Sequence, residues 1–322
     1  MVGLESDFML KNIALLVFLS LAICQTLHAQ AASDLWVVDT EGKGGKIKLL
    51  TATAKPLTNR PEYDNQPNFI NDSELVFSAA DQKGNHDIIL YSFRTGNFTN
   101  LSKTPDRSEY SPNLTDCKQY ISAVVVEPDG KQRLWLYPII GEAPELLYDD
   151  IAPVGYYDWY DNKAAMFVLG QPNKLVYPYS KSEVHTISEN VGRSVKKRPK
   201  TSIITYIDKN VSKEVDGVKS YAIKGFDIEK RTYVDYGFTF PGSEDFIWLD
   251  NQLLLMGKGN DLYVRKAEQK DWEKAGWEKS TVQSNSGILG GGVGLLILPV
   301  STVDKLTFLL GVKQQQLNQQ AD

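Results

Sequence analysis

The residues of this chain whose types could carry chemistry are few and far apart. Glu244 and Asp245 are adjacent carboxylates, and Asp158 lies in an earlier segment of similar character. Paired carboxyls can divide general-acid and general-base roles when their surroundings separate their pKa values. Neighbours on a strand point to opposite faces, however, so Glu244 and Asp245 are not expected to converge on one substrate. Of the three histidines, His28 falls in an apolar leader, which leaves His86 and His185 in separate segments and short of the three-ligand set of catalytic zinc. Cys117 has no neighbouring histidine or helix start to activate its thiol. No Gly-x-Ser-x-Gly elbow is present, and Gly290-Gly-Gly-Val-Gly294 has neither the ending of a phosphate loop nor the spacing of a dinucleotide turn. No metal and no cofactor are expected.

The elements that must position these residues form a repeat. Phe69, Leu114, Trp159, Arg198, Trp248 and Val300 each open a strand-like run. Each is followed eight residues later by a second position, namely Phe77, Ser122 beside Ile121, Phe167, Tyr206, Met256 and Phe308. Successive starts are 45, 45, 39, 50 and 52 residues apart, and a period near 45 marks a repeat architecture. A further strand follows in each unit, at Asp87–Tyr91, Arg133–Tyr137, Lys174–Tyr177, Ser220–Lys224 and Asp261–Arg265, bounded by turn-forming residues. The sixth such strand is Asp34-Leu-Trp-Val-Val38, at the front of the chain.

Six inner and six outer halves make six four-stranded units, the last completed only by joining the two ends. A ring protects its sheet edges and must be sealed somewhere, whereas a solenoid needs no split repeat. The expected fold is therefore all-β: a six-bladed β-propeller of four-stranded antiparallel blades over 32–312, closed by pairing the N-terminal strands with the C-terminal hairpin at 298–310. The unit around 194–240 is the most weakly patterned.

Tyr63-Asp-Asn-Gln-Pro-Asn-Phe69, Asp87-Ile-Ile-Leu-Tyr-Ser-Phe93, Thr99-Asn-Leu-Ser-Lys-Thr104 and Glu109-Tyr-Ser-Pro-Asn-Leu114 resemble the WD40-like (PD40) repeats of TolB-type propellers. The resemblance spans most of the chain beyond the leader and is strongest at 61–160 and 242–265. It departs from the family at the Ser-Pro-Asp-Gly turn, which here reads Ile70-Asn-Asp-Ser73, Thr115-Asp-Cys-Lys118 and Ser301-Thr-Val-Asp304, still rich in turn formers. The resemblance implies a six-bladed propeller of the bacterial periplasm that is used for protein contacts. The separate domain that TolB proteins place before their propeller is not expected here.

Residues 1–31 read as a secretory signal: Lys11, an apolar run from Ile13 to Ile23, then small residues around Ala29 and Ala31. That run is shorter than a membrane span. Glu5 and Asp7 fit the pattern badly, which makes Met9 an alternative start. Leu21-Ala-Ile-Cys24 is similar to a lipobox, but Ile23 stands where a small residue is normal, so ordinary cleavage is preferred to a lipid anchor on Cys24. The expected location is the periplasm or the exterior. Once the leader is removed, Cys117 is the only thiol, and the domain must rely on its core rather than on a disulfide. The Gln-rich segment 313–322 is expected to be disordered.

With 35 basic against 40 acidic residues, nucleic acid is not the expected partner. The densest basic cluster, Arg193 with Lys196-Lys-Arg198, reads as a solvated loop. In a propeller the loops leading into the innermost strands gather at one mouth of the channel. Here they carry Tyr63, Asp64, Asn65, Glu109, Tyr110, Tyr156, Tyr157, Asp158, Arg193, Glu244 and Asp245. Tyrosine buries a large rigid area yet keeps a polar tip, so a ring of tyrosines and carboxylates suits recognition. The expected function is non-catalytic binding or scaffolding of an envelope protein or peptide, with a glycan as a further partner class. The alternative is a carbohydrate- or peptide-active enzyme whose carboxylates converge in the channel.

Overall fold

The computed structural model describes residues 33–41, 48–141, 143–258, 261–275, 292–296 and 306–314. The leader with Met9 and Cys24, Trp277, and residues 315–322 of the Gln-rich segment lie outside the described residues. Every regular element among the described residues is a β-strand, and the strands form a β-propeller.

The chain opens with β1 (Leu35–Glu41) and β2 (Lys48–Pro56), which pair with each other. Five four-stranded antiparallel sheets then follow one another along the chain. They comprise β3 to β6 (Asp64–Asn71, Glu74–Ala80, His86–Ser92, Phe98–Asn100) and β7 to β10 (Ser108–Leu114, Tyr120–Val126, Gln132–Pro138, Glu145–Leu146). Next come β11 to β14 (Val154–Tyr160, Lys163–Val168, Lys174–Ser180, Glu183–Glu189) and β15 to β18 (Val191–Lys197, Ile203–Val215, Val218–Asp227, Thr232–Phe238). The fifth is β19 to β22 (Phe246–Trp248, Leu253–Lys258, Asp261–Lys266, Glu273–Lys274). β23 (Gly292–Leu296) and β24 (Leu306–Gln314) pair with each other, and β24 also runs antiparallel to β1. The weakly patterned segment around 194–240 thus makes a full sheet, and the expected further strands fall in β5, β9, β13, β17, β21 and β1.

Burial explains the strand sequences. The second strand of a sheet is covered on both faces by its neighbours, so β4 and β8 read as near-continuous apolar runs, Leu75-Val-Phe-Ser-Ala-Ala80 and Ile121-Ser-Ala-Val-Val125. The fourth strands lie at the rim and alternate with solvent; in β14, Ile187 alone is buried. The core consists of layers between sheets. Val76 and Ile88 meet Ile121 and Val125; Val124 and Leu134 meet Trp159 and Met166; Phe167 and Tyr177 meet Tyr206 and Phe226; Ile207 and Tyr236 meet Trp248 and Met256. Leu35 and Val37 of β1 pack on Phe69 and Phe77. Each such side chain contributes about 1.5–3 kcal/mol of transfer free energy.

Polar staples fix the stacking. Trp159 Nε1 donates to Ser122 Oγ of the preceding sheet at 2.9 Å, and Trp248 Nε1 to Thr205 Oγ1 at 2.9 Å. Both tryptophans thus pack between adjacent sheets. Trp272 likewise lies beneath the outer strands, donating to Phe238 O at 3.0 Å with the Arg265 guanidinium over its ring.

Candidate functional site

The first strands of adjacent sheets pack on one another, β3 on β7, β11 on β15, and β15 on β19, so the first strands line a central channel. Four of them carry a bulge at a similar level: between Asn65 and Asn68, Tyr110 and Asn113, Val154 and Tyr156, and Val191 and Val195. In the first two, Gln66 and Ser111 adopt φ of 55° and 52°. Positive φ in non-glycine residues is uncommon and favours functional sites. A bulge bends its strand and re-aims the side chains beside it.

At this level a cleft of about 130 Å³ is lined by Asn65, Gln66, Asn68, Ser111, Asn113, Tyr156, Tyr157, Arg193, Lys196, Asp245 and Phe246, together with Pro67, Pro112, Ser194 and Val195. Its walls are tied across sheets. Gln66 Oε1 accepts from Ser111 N at 2.7 Å, Asn68 Nδ2 donates to Asn113 Oδ1 at 2.6 Å, and Asn113 Nδ2 to Asp158 Oδ1 at 3.3 Å. The buried Asn68 Oδ1 has no partner among the described residues.

Of the residues expected at the mouth, Asn65, Tyr156, Tyr157, Arg193 and Asp245 meet in this cleft. Arg193 Nε donates to Asp245 Oδ1 at 2.7 Å, with a second bond from Nη2 to Oδ2. Burial opposes the charge on Arg193, but Asp245 holds its pKa above the ordinary arginine value.

The others are used in packing. Asp64 is fully buried and clasped by Arg60, whose Nε lies 2.8 Å from Oδ2. Glu109 is fully buried between Tyr137 Oη at 2.8 Å and Thr104 Oγ1 at 2.6 Å, and burial raises its pKa to about 7. Tyr63 is buried edge-on against His86, which shares a 3.1 Å hydrogen bond with Tyr110 Oη. Tyr157, although it touches the cleft, is buried and donates to Ser111 O at 2.8 Å and Ser122 Oγ at 2.9 Å. Tyr63, Asp64, Glu109 and Tyr157, expected among the binding groups of the mouth, are therefore buried side chains engaged in packing contacts.

The three carboxylates considered for catalysis are each engaged by a different partner. Glu244 pairs with Lys209 at 2.9 Å, Asp245 with Arg193, and Asp158 accepts from Lys197 N at 2.7 Å and Trp159 N at 2.8 Å. Among the described residues no cluster of three or more His, Cys, Asp or Glu side chains could hold a metal ion. His185 stacks on Phe226, and Cys117 is exposed in its turn.

The basic cluster is also corrected. Arg193, Lys196 and Lys197 belong to β15, Arg193 and Lys196 line the cleft, and Arg198 lies over the rings of Tyr236 and Trp248. Sequence reasoning missed Gln66, Asn68, Asn113 and Lys196 as cleft residues. The available signal was register: Asn68, Asn113 and Asp158 each stand one residue before a repeat start.

No family model matches the sequence. No curated protein matches it. Solved structures do. A putative TolB from Agrobacterium tumefaciens aligns with 76% of this chain and 88% of its own at 10% identity and a TM-score of 0.57. TolB from Acinetobacter baumannii aligns over 74% and 66% at 11% identity and 0.53. The chain has the fold of the TolB propellers. A chain of the nidogen/laminin complex also aligns with this TolB-like propeller, over 75% and 93% at 12% identity and 0.53. Identities this low carry the fold and not the activity.

Proposed function

We propose that the chain is an exported, non-catalytic propeller that acts as a protein-binding or scaffolding module in the bacterial envelope. The observation that carries this reading is the channel cleft, where four first strands and the residue leading into β19 contribute amides, Tyr156, an Arg193–Asp245 pair and Lys196, and where the one lining carboxylate is already paired. Such a surface presents fixed hydrogen-bonding groups beside an aromatic ring, as a recognition site needs. A propeller of the same fold occurs in a protein–protein complex, that of nidogen with laminin.

The ring in this proposal has six blades and is sealed between β1 and β24. Support comes from the β1–β24 ladder and from the packing of β23 beside β3 and β20. Export rests on the leader sequence.

The test places a photo-crosslinking residue at Tyr156 in tagged protein expressed in its native envelope. A discrete protein adduct that disappears with Arg193→Ala supports the module. Turnover of a glycan or peptide by the purified protein, lost with Asp158→Asn or Glu244→Gln, would overturn it in favour of an enzyme.

A further inference from the structure

The hairpin of β16 and β17 is out of proportion to its counterparts. β16 has 13 residues and β17 has 10, whereas the second strands β4, β8, β12 and β20 have 6 or 7. Residues 210–215 are all exposed, and Val211, Val215 and Val218 keep 38, 37 and 40% of their surface in water. A two-stranded ribbon in solvent is marginally stable unless something covers it.

The register shows which backbone groups are free. Val215 pairs with Val218 across the tight turn Asp216-Gly217, whose φ values of 52° and 76° fit a two-residue hairpin. In an antiparallel ladder alternate residues turn their N–H and C=O outward. On β17 the outward residues are satisfied: Lys219 O accepts from Gly242 N at 2.7 Å, and Tyr221 O from Thr239 N at 2.8 Å. Their partners Glu214 and Ser212 must then face outward on β16. β15 has already ended there: its last backbone tie is Lys209 N to Asn190 O at 3.0 Å, and just beyond it the Asn210 side chain reaches across, Nδ2 donating to Glu189 O at 2.8 Å and Oδ1 accepting from Asn190 Nδ2 at 3.0 Å, before the free edge begins at Ser212. Ser212 and Glu214 therefore present two N–H and two C=O groups without a backbone partner among the described residues, on the side where β15 would continue.

We propose that this edge is a docking site for an extended polypeptide segment of a partner protein, which adds to β16 as a further antiparallel strand. An unpaired row of alternating donors and acceptors is matched by another peptide backbone, and the valines of the arm offer apolar cover to the added strand's side chains. A second copy of this chain fits poorly. Pairing Ser212 with Glu214 would set Lys213 against Lys213, and pairing Glu214 with itself would oppose like carboxylates, both unfavourable. The register centred on Ser212 needs Asn210, whose N–H already donates to Asp208 Oδ1 at 2.9 Å. The edge is distinct from the channel cleft, so either site can stand without the other.

The test pans a phage-displayed random dodecapeptide library on the full chain and measures binding of the selected synthetic peptides. Glu214→Pro deletes an outward N–H and leaves the internal ladder intact. The expected result is a loss of about tenfold or more in peptide affinity with Glu214→Pro. Glu214→Ala, which keeps the backbone, should change affinity less than about twofold. In the unmutated protein, peptide binding should also slow amide exchange at Ser212 and Glu214, which decides the matter even where the proline variant unfolds. Four results would each overturn the proposal: no selected peptides, equal binding to Glu214→Pro, exchange at both amides unchanged by bound peptide, or binding lost with Arg193→Ala but kept with Glu214→Pro, which assigns the contact to the channel. A dimer abolished by Glu214→Pro would also overturn it, naming a second copy as the occupant.

Discussion

Asn68 and Asn113 stand 45 residues apart and are hydrogen bonded to each other, Asn68 Nδ2 to Asn113 Oδ1 at 2.6 Å. The repeat period thereby becomes a physical contact. Equivalent positions on successive first strands lie side by side around the channel, and the ladder continues to Asp158 and on to the backbone N–H of Lys197. One carboxylate acceptor terminates a chain of amide donors, which holds four sheets at a common level.

Asn113→Leu should break this ladder in its middle. It strands the buried Asn68 side chain and removes a donor to Asp158, at a cost of about 1–2 kcal/mol. Urea unfolding measures the loss. Pairing the change with Asn68→Leu should cost less than the sum of the two single changes, because the orphaned amide is then gone. An additive double variant would show that the contact carries no coupling.

Ser122→Ala tests the staple between the second and third sheets. Ser122 Oγ accepts from Trp159 Nε1 and Tyr157 Oη and donates to Asn113 O, each at 2.9 Å. Tyr157 retains Ser111 O as an acceptor, but the buried indole N–H is left without one. The expected loss is about 1–3 kcal/mol. Adding Trp159→Phe should recover part of it, read as a rise in melting temperature over the single variant.

The sheets were legible in the sequence because a strand between two covered faces must be apolar, and Phe77, Ile121, Phe167 and Met256 recur with the period. The burial of Tyr63, Asp64 and Glu109 was not legible. Asp64 and Glu109 occupy equivalent repeat positions, yet one is clasped by an arginine four residues before it while the other accepts at Oε1 from a tyrosine 28 residues on and keeps a buried Oε2 without a partner among the described residues. Composition cannot distinguish such a buried carboxyl from one in solvent. The bulges add a second difficulty. An extra residue at Gln66 or Ser111 shifts the alternation, so side chains beyond it change face. Asn68 and Asn113 consequently reach the cleft from positions that period-two counting does not single out.

Glu109→Gln should stabilise the protein at neutral and alkaline pH. Burial raises this carboxyl from 4.5 to about 7, so the folded state keeps a proton that the unfolded chain has released. Its contribution is complete below pH 4.5 and is lost as pH rises through 7. The span amounts to about 3 kcal/mol as an order of magnitude. The amide keeps a neutral side chain at every pH, and denaturation at pH 8 should show the gain. An equal or lower stability of the variant at pH 8 would contradict it.

His86 should work in the opposite sense over an overlapping window. Burial lowers its imidazole from 6.5 to about 4, so on acidification the unfolded chain takes up a proton that the folded state refuses. Its contribution is present above pH 6.5 and is lost as pH falls through 4. Between about pH 4.5 and 6.5 the two groups oppose each other, and the wild-type profile should be nearly flat with respect to them. Glu109→Gln then exposes the histidine slope, with stability falling toward acid. His86→Gln, which retains an acceptor for Tyr110, exposes the carboxyl slope, with stability rising toward acid at some cost in packing. Unfolding free energies at half-unit pH steps for the single and double variants decide it. Single variants that run parallel to the wild type through this window would show that neither buried group titrates as its surroundings require.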